Sequence, residues 1–201
     1  MLFRRFYLLP TIFYLLFFFS CSAAAQEPAD SDAFLNEVQE RAFRYFAQQH
    51  NPHTGLVRDS APNRPGEAGS ATASIAAVGF ALTVYPVAAE RGWMSRASAY
   101  QLTVRTLEFF LQQAPQHKGF FYHFLNFETG ERAGRCELSP IDTALFLSGA
   151  LFAAEYFDDA KVRDLVREIY ERIDFPWMLN QGKTLALYWT SFKNASESAG
   201  S

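Results

Sequence analysis

The chain has little cysteine, no excess of basic residues and no long uninterrupted apolar segment. Its two cysteines are Cys21 and Cys136, and Cys21 lies in the leader described below, so no disulfide is expected to hold the fold together. A formal net charge of −3 argues against a nucleic-acid partner. Phosphate-binding glycine motifs and zinc-protease motifs are absent. His50 and His53 have no accompanying cysteine or acid cluster, so neither a metal site nor a cofactor is predicted.

The first 25 residues have the features of a signal peptide. Arg4 and Arg5 precede the apolar stretch 6–19, which is shorter than the roughly 18–20 residues needed to cross a bilayer, and small residues then lead to Ala25. A second interpretation ends the signal at residue 20, because 18–21 (FFSC) resembles a lipobox, with atypical phenylalanines, and would place lipid on Cys21. We therefore expect an exported protein, either periplasmic or an outer-membrane lipoprotein of a Gram-negative bacterium. Any contact with a membrane would be through that lipid anchor.

Amphipathic and uniformly apolar helices alternate along the rest of the chain. Apolar residues at helical spacing predict amphipathic helices over 32–49, 96–113 and 160–173. The segments 74–90 and 141–157 are apolar on all sides, which is typical of buried helices. These five helices make about two and a half helical hairpins.

The connections between the helices also alternate, between short and long. The joins 91–95 and 158–159 are short, whereas 50–73 and 114–140 are long, and long loops inside a compact domain are usually functional. Antiparallel hairpins would bring both long loops to one end. This pattern predicts an all-α fold, an incomplete α/α toroid of the six-hairpin type with its site at that end. Tetratricopeptide-like adaptors have a period near 34 residues, about half of this one, and are less favoured.

Two acids where the second long loop enters a buried helix are the candidate catalytic residues. Glu137 and Asp142 are the kind of pair that glycoside cleavage uses, one carboxyl to protonate the leaving oxygen and one as base or nucleophile. Asp142 also has a structural interpretation, since Ser139 as N-cap, Pro140 at the first position and an acid at the third predict a capping box. Both interpretations remain open, because a capping residue can also be a site residue.

Several further residues of the loops are candidates for binding substrate. The run 120–124 (FFYHF) predicts a short strand in which two or three rings are buried and the others can stack on a sugar. Trp93 follows a helix-ending glycine within the short join 91–95, on the face opposite the site, and is expected to pack. Cys136 with His123 would offer a thiol nucleophile only if something oriented the pair. The candidates for substrate binding are Arg58, Asp59, Phe121, Tyr122, His123 and Trp189.

Several blocks of sequence, in order, resemble the glycoamylase-like family, which includes bacterial endo-β-1,2-glucanases. They are 74–80 (SIAAVGF), 90–93 (ERGW), 119–125 (GFFYHFL), 137–139 (ELS) with 142–145 (DTAL), and 174–178 (DFPWM). The resemblance implies a six-hairpin α/α toroid, export and hydrolysis of β-glucan, with β-1,2-glucan as the expected polysaccharide partner. It also implies that the acids in 137–142 line the cleft and that Asp142 matches a family acid followed by Thr-Ala.

The resemblance ends near Trp189. The family continues through a Gly-Tyr-x-Glu segment that supplies a further acid, whereas residues 190–201 match nothing and are expected to be a disordered tail. We therefore expect residues 32–189 to be the N-terminal part of a truncated and poorly active hydrolase, whose apolar helices would leave surface exposed. Three alternatives remain: a carbohydrate-binding remnant without catalysis, a membrane-anchored helical scaffold, and a different toroid enzyme such as an epimerase or lyase.

Overall fold

The computed structural model describes residues 30–64, 66–180 and 182–190. The chain divides into two units, Met1–Arg41 and Ala42–Ser201. The described residues contain five α-helices: α1 (Asp30–Gln48), α2 (Ile75–Glu90), α3 (Arg96–Gln112), α4 (Pro140–Phe157) and α5 (Ala160–Glu171). These bounds lie within two residues of the predicted ones. The predicted signal peptide, Cys21 and the tail from residue 191 onward lie outside the described residues.

Short strands fill the two long loops and the end of the described chain. They are β1 (Thr72–Ser74), β2 (Gln116–His117), β3 (Phe120–Phe121), β4 (Phe124–Asn126), β5 (Leu179–Asn180) and β6 (Thr184–Leu185), with a 3₁₀ helix at Pro176–Met178. They form three antiparallel pairs, β1 with β4, β2 with β3, and β5 with β6. The strand predicted over 120–124 is thus divided between β3 and β4, and the rings of Phe120 and Phe121 are buried. No helix in the described part of the chain has the length and apolar character needed to cross a membrane.

Helices α2 and α4 form the centre of the second unit. Their mutual packing is the most extensive contact between elements, while α3 packs on α2 and on α5, and α5 packs on α4. The apolar helices are therefore the inner ones and the amphipathic helices the outer ones, as the hydrophobic pattern predicted. Trp93 stacks on Phe43, with ring centroids 5.7 Å apart, which agrees with the packing role expected for it.

The two long loops meet at one end of the helices. Strand β1 belongs to the first loop and β4 to the second, and they pair in the register Thr72–Asn126, Ala73–Leu125 and Ser74–Phe124. Ser74 is also the N-cap of α2, so this pairing is continuous with the start of an inner helix. The prediction that the long loops lie together is confirmed.

The apolar helices α2 and α4 are buried on only part of their circumference. Phe80 and Val87 of α2 are exposed, as are Ile141, Leu151 and Phe152 of α4. A helix in a full toroid has neighbours on all sides, whereas α2 and α4 have neighbours on only part of their circumference here. Each inner helix therefore presents an apolar stripe to solvent, which agrees with the surface exposure expected from two and a half hairpins.

Candidate functional site

The site is built on the first turn of α4. Ser139 is the N-cap residue, and its hydroxyl oxygen accepts a hydrogen bond from the backbone N–H of Asp142 at 3.2 Å. Pro140 occupies the first helical position, where its missing N–H costs nothing. Asp142, the third helical residue, is buried with 8 % of its surface exposed. The helix start predicted from the sequence is confirmed.

The capping box predicted at this turn is only half formed. In a full box the acid at the third position would accept from the backbone N–H of the N-cap residue. Here the backbone N–H of Ser139 donates instead to the carbonyl of Phe121, at 3.0 Å. The Asp142 carboxylate accepts from the Ser139 hydroxyl. One carboxylate oxygen of Asp142 thus accepts a hydrogen bond from the Ser139 side chain, and neither oxygen accepts from the backbone N–H of Ser139.

His123 lies between the two candidate acids. Its Nδ1 is 2.9 Å from Oε1 of Glu137, and its Nε2 is 3.8 Å from Oδ2 of Asp142. The backbone holds the same arrangement, because the N–H of His123 donates to the carbonyl of Glu137 at 2.9 Å. The structure therefore brings Glu137, His123 and Asp142 together as one cluster, which we call the acid–histidine cluster.

The electrostatic surroundings of the cluster favour an ionised Glu137. Burial acts to raise the pKa of its carboxyl, but a hydrogen bond from its own backbone N–H, the bond from His123 and the positive charges of His123 and Arg132 outweigh burial. The net effect lowers the pKa below its ordinary value. Glu137 is accordingly a carboxylate at neutral pH. A general acid, by contrast, needs a raised pKa.

Arg132 is a residue of the site that sequence reasoning missed. Its guanidinium carbon lies 4.3 Å from the centre of the Tyr122 ring, and its Nε donates to the carbonyl of Cys136 at 2.9 Å. It thus places a positive charge beside Glu137 and covers one face of Tyr122. Its position in a glycine-flanked turn carries no recognisable motif, so no pattern in the sequence could have identified it.

The structure does not orient Cys136 as a nucleophile. The thiol of Cys136 donates to the carbonyl of Phe124 at 3.2 Å. The ring nitrogens of His123 face the two carboxylates, as described above, and its ring stacks on Phe124 with centroids 3.8 Å apart. A thiol mechanism would need the imidazole to face the sulfur, so this geometry offers no support for the thiol alternative.

Phe121 lies in the hydrophobic core. Its ring is 2 % exposed and packs edge-on against Phe110 and Phe146, with centroids 5.0 and 5.4 Å away. Its backbone N–H donates to Oγ1 of Thr143 at 3.1 Å, which fastens strand β3 to α4. The Phe121 ring therefore packs in the hydrophobic core next to the site, and neither of its faces is open to a ligand in this chain.

Arg58 and Asp59 lie in the first long loop. The guanidinium of Arg58 is 3.7 Å from the centre of the Phe127 ring and 3.3 Å from Oε1 of Glu128, so it links the first loop to the second. Asp59 is exposed and donates its backbone N–H to the carbonyl of Thr72 at 2.9 Å. The arginine stabilises the loop pairing, and Asp59 has an accessible carboxylate at the same end of the helices.

Trp189 joins the site through its backbone. It exchanges two hydrogen bonds with Leu138, at 2.9 and 3.1 Å, and Leu138 also pairs with Tyr122. Its ring stacks on His117 with centroids 5.4 Å apart and contacts Trp177 at 5.3 Å. Side chains alternate along extended backbone, so the Trp189 ring lies on the side of Leu138, and the Glu137 side chain points the other way.

Nothing in the geometry of the described residues resembles a metal centre. No group of three or more His, Cys, Asp and Glu side chains within 30–64, 66–180 and 182–190 could hold a metal ion. The two carboxylates and one imidazole of the acid–histidine cluster offer proton transfer, charge stabilisation and hydrogen bonding to hydroxyl groups.

Comparisons with known proteins were made in sequence and in structure. No protein-family profile matches the chain. A curated relative, the exo β-1,2-glucooligosaccharide sophorohydrolase (non-reducing end) of Parabacteroides distasonis, is 24% identical over 177 residues, which is 83% of this chain and 24% of the relative. The chain thus spans about a quarter of the length of this relative.

Solved structures share the fold. A protein of Bacteroides uniformis provisionally named a glucoamylase superposes with a TM-score of 0.71 and 22% identity, over 80% of this chain and 40% of that one. The endo-β-1,2-glucanase of Chitinophaga pinensis, in complex with sophorotriose and glucose, has a TM-score of 0.66 and 23% identity, over 80% of this chain and 41% of that one. The resemblance to the glycoamylase-like family is thereby confirmed, with an all-α fold that corresponds to part of an α/α toroid.

Proposed function

We propose that this chain is the N-terminal part of an exported glycoside hydrolase that acts on β-glucan, with β-1,2-glucan as the expected substrate. The acid–histidine cluster supports this proposal, because two carboxylates at the start of an inner helix, beside the converging long loops, are the groups that glycosidic cleavage requires. The activities named for the sequence relative and for the Chitinophaga pinensis structure point to the same polysaccharide.

The roles of the two acids follow from their surroundings. Glu137 has a lowered pKa, which suits a carboxylate that stabilises positive charge or activates water, and not a proton donor. The family resemblance implies a further acid in a segment that this chain does not match. We therefore expect the chain as given to hydrolyse little or no glucan, since the cluster alone lacks an assigned general acid.

The first experiment measures the release of reducing ends from β-1,2-glucan by purified residues 26–201. We expect a rate indistinguishable from that of the Glu137→Gln variant. A rate well above that of the variant would overturn the expectation of inactivity and would identify Glu137 as catalytic. Glu131→Gln is the matched control, because Glu131 is an exposed acid of the same loop.

The second candidate is a binding protein without catalysis. The half-buried ring of Tyr122, the residue next to His123, favours it, because sugars stack on such rings. Titration calorimetry with β-1,2-glucooligosaccharides should then show saturable binding by a monomeric chain without release of reducing ends. Replacement of Tyr122 by alanine should weaken this binding by about tenfold, which corresponds to about 1.4 kcal/mol. Absence of binding by the wild-type chain would remove this candidate.

Export is the second part of the proposal. The leader predicts cleavage either after Ala25 or before Cys21, and the mass of the mature N-terminus distinguishes the two. A free N-terminus at Gln26 would support a released periplasmic protein, and a diacylglycerol adduct on Cys21 an anchored lipoprotein. Persistence of the intact leader on a cytoplasmic protein would contradict export.

A further inference from the structure

The His123 side chain has both of its ring nitrogens directed at acids. Nδ1 lies at hydrogen-bond distance from Glu137, 2.9 Å, and Nε2 lies within ion-pair reach of Asp142, 3.8 Å. One face of the ring is covered by Phe124, at 3.8 Å between centroids and 18° between planes. Nδ1 is thus engaged with Glu137, whereas Nε2 lies beyond hydrogen-bond distance of the Asp142 carboxylate. The substrate-binding role predicted for His123 stays a prediction, and the Nδ1 contact indicates a second role.

The backbone of His123 also makes two hydrogen bonds. Its N–H donates to the carbonyl of Glu137 at 2.9 Å, and its carbonyl accepts from the N–H of Ile75 at 3.3 Å. Ile75 is the first residue of α2, and Asp142 belongs to the first turn of α4. His123 thus links the N-terminal ends of both inner helices to the loop that carries Glu137.

The hydrogen-bonding chemistry defines which nitrogen carries the proton. Glu137 is ionised at neutral pH and can only accept, so the hydrogen of the 2.9 Å bond belongs to Nδ1. Nε2 then faces Asp142, whose Oδ2 already accepts from the Ser139 hydroxyl. Two acids thus face the imidazole, and the guanidinium of Arg132 acts on one of them, Glu137.

We propose that His123 is a positioning residue that orients Glu137 by donating its Nδ1–H to the Glu137 carboxylate. The catalytic consequence rests on the proposed function, whereas the positioning itself is a property of this chain. His123 holds the Glu137 carboxylate through the Nδ1–H bond and keeps a positive or polar group between two acids that would otherwise repel each other.

The test follows the titration of Glu137 by carboxyl-detected NMR in three variants of the chain. His123→Ala removes both contacts, and we expect the pKa of Glu137 to rise. His123→Asn keeps an amide N–H near the position of Nδ1, so we expect it to restore part of the effect. His53→Ala removes an exposed histidine of the first loop and should leave the titration unchanged.

A second readout is the ring ¹⁵N spectrum of His123. The wild-type chain should show the Nδ1–H pattern or the doubly protonated pattern, and Glu137→Gln should redistribute it, because a neutral amide no longer requires a proton on Nδ1. The proposal is overturned if His123→Ala folds normally by circular dichroism and the Glu137 titration does not move, or if the wild-type ring carries its single proton on Nε2. These results do not depend on hydrolysis, so the positioning role is tested separately from the glucan assays, in which the chain as given is expected to be inactive.

Discussion

Gly79 and Gly149 bring the backbones of the two inner helices into close contact. A Cβ atom built on Gly149 would lie 1.9 Å from the carbonyl oxygen of Gly79, and one built on Gly79 would lie 2.4 Å from the carbonyl oxygen of Leu145. Both obstacles are backbone atoms, which cannot swing aside as a flexible side chain can. The packing of α2 on α4, and with it the relative position of the two helix ends at the site, depends on the absence of side chains here.

Replacement of Gly149 by alanine is therefore expected to destabilise the chain. Although alanine is a better helix former than glycine, overpacking against backbone should lower the free energy of unfolding by about 1–3 kcal/mol. Urea denaturation followed by circular dichroism measures the change. Ser148→Ala, at the exposed neighbouring position, is the control and should change stability by less than about 0.5 kcal/mol. Equal stabilities for the two variants would mean that the helices are not in backbone contact.

The N-cap of α4 gives a second prediction. Ser139→Ala removes the acceptor for the Asp142 N–H and the donor to its carboxylate, so we expect a loss toward the upper end of the roughly 0.5–2 kcal/mol measured for N-caps. Ser95 caps α3 by accepting from the N–H of Ser98 and is exposed. Ser95→Ala should cost less, because solvent can replace the lost bond there. Thermal unfolding of both variants measures which substitution costs more stability. A larger loss for Ser95→Ala than for Ser139→Ala would contradict the prediction.

The lowered pKa of Glu137 predicts that the stability of the folded chain depends on pH in the acidic range. A carboxyl whose pKa is lower in the folded state stabilises the protein fully above its unfolded pKa, and this contribution is lost as the pH falls through the folded pKa. Glu137→Gln removes the contribution, so the variant should lose less stability than the wild type from about pH 4.5 downward. Urea midpoints at a series of pH values test this, with Glu131→Gln as the control. Parallel curves for wild type and Glu137→Gln would show that the carboxyl is not stabilised by folding.

The exposed stripe on the inner helices predicts self-association. Phe80 is 54% exposed, Leu151 53% and Phe152 45%, and apolar side chains grouped on one helix face favour contact between copies. Phe152→Glu should reduce the concentration dependence of the sedimentation coefficient and the binding of a hydrophobic dye. Leu187→Glu changes a more exposed leucine, 80% accessible, that lies outside both helices, and should have a smaller effect. A monodisperse wild-type monomer that binds no dye would contradict the prediction.

Much of the fold could be predicted from the local pattern of residues. Helical periodicity and the turn residues located the five helices to within two residues, because each depends on contacts along a few turns of the same segment. The alternation of long and short joins also predicted that both long loops lie at one end, which the pairing of β1 with β4 confirms. The exposed apolar residues of α2 and α4 agree with the two and a half hairpins counted from the sequence, since each inner helix then lacks neighbours on part of its circumference.

The site was predicted only in part. Glu137 and Asp142 could be located from the Ser-Pro helix start, but the partner of the N-cap N–H turned out to be Phe121. Arg132 could not be found, because its effect on Glu137 depends on a turn geometry that has no sequence signature.

The sequence by itself determined which segments are helices, which of these are inner or outer, and where one helix begins at Ser139, because these depend on periodicity and capping within a few residues. Only the tertiary structure decided that His123, fourteen residues before Glu137 in the chain, lies between Glu137 and Asp142. That contact requires two loops to pair in one register and two inner helices to meet at Gly79 and Gly149. These are relationships between distant segments, which no local pattern encodes.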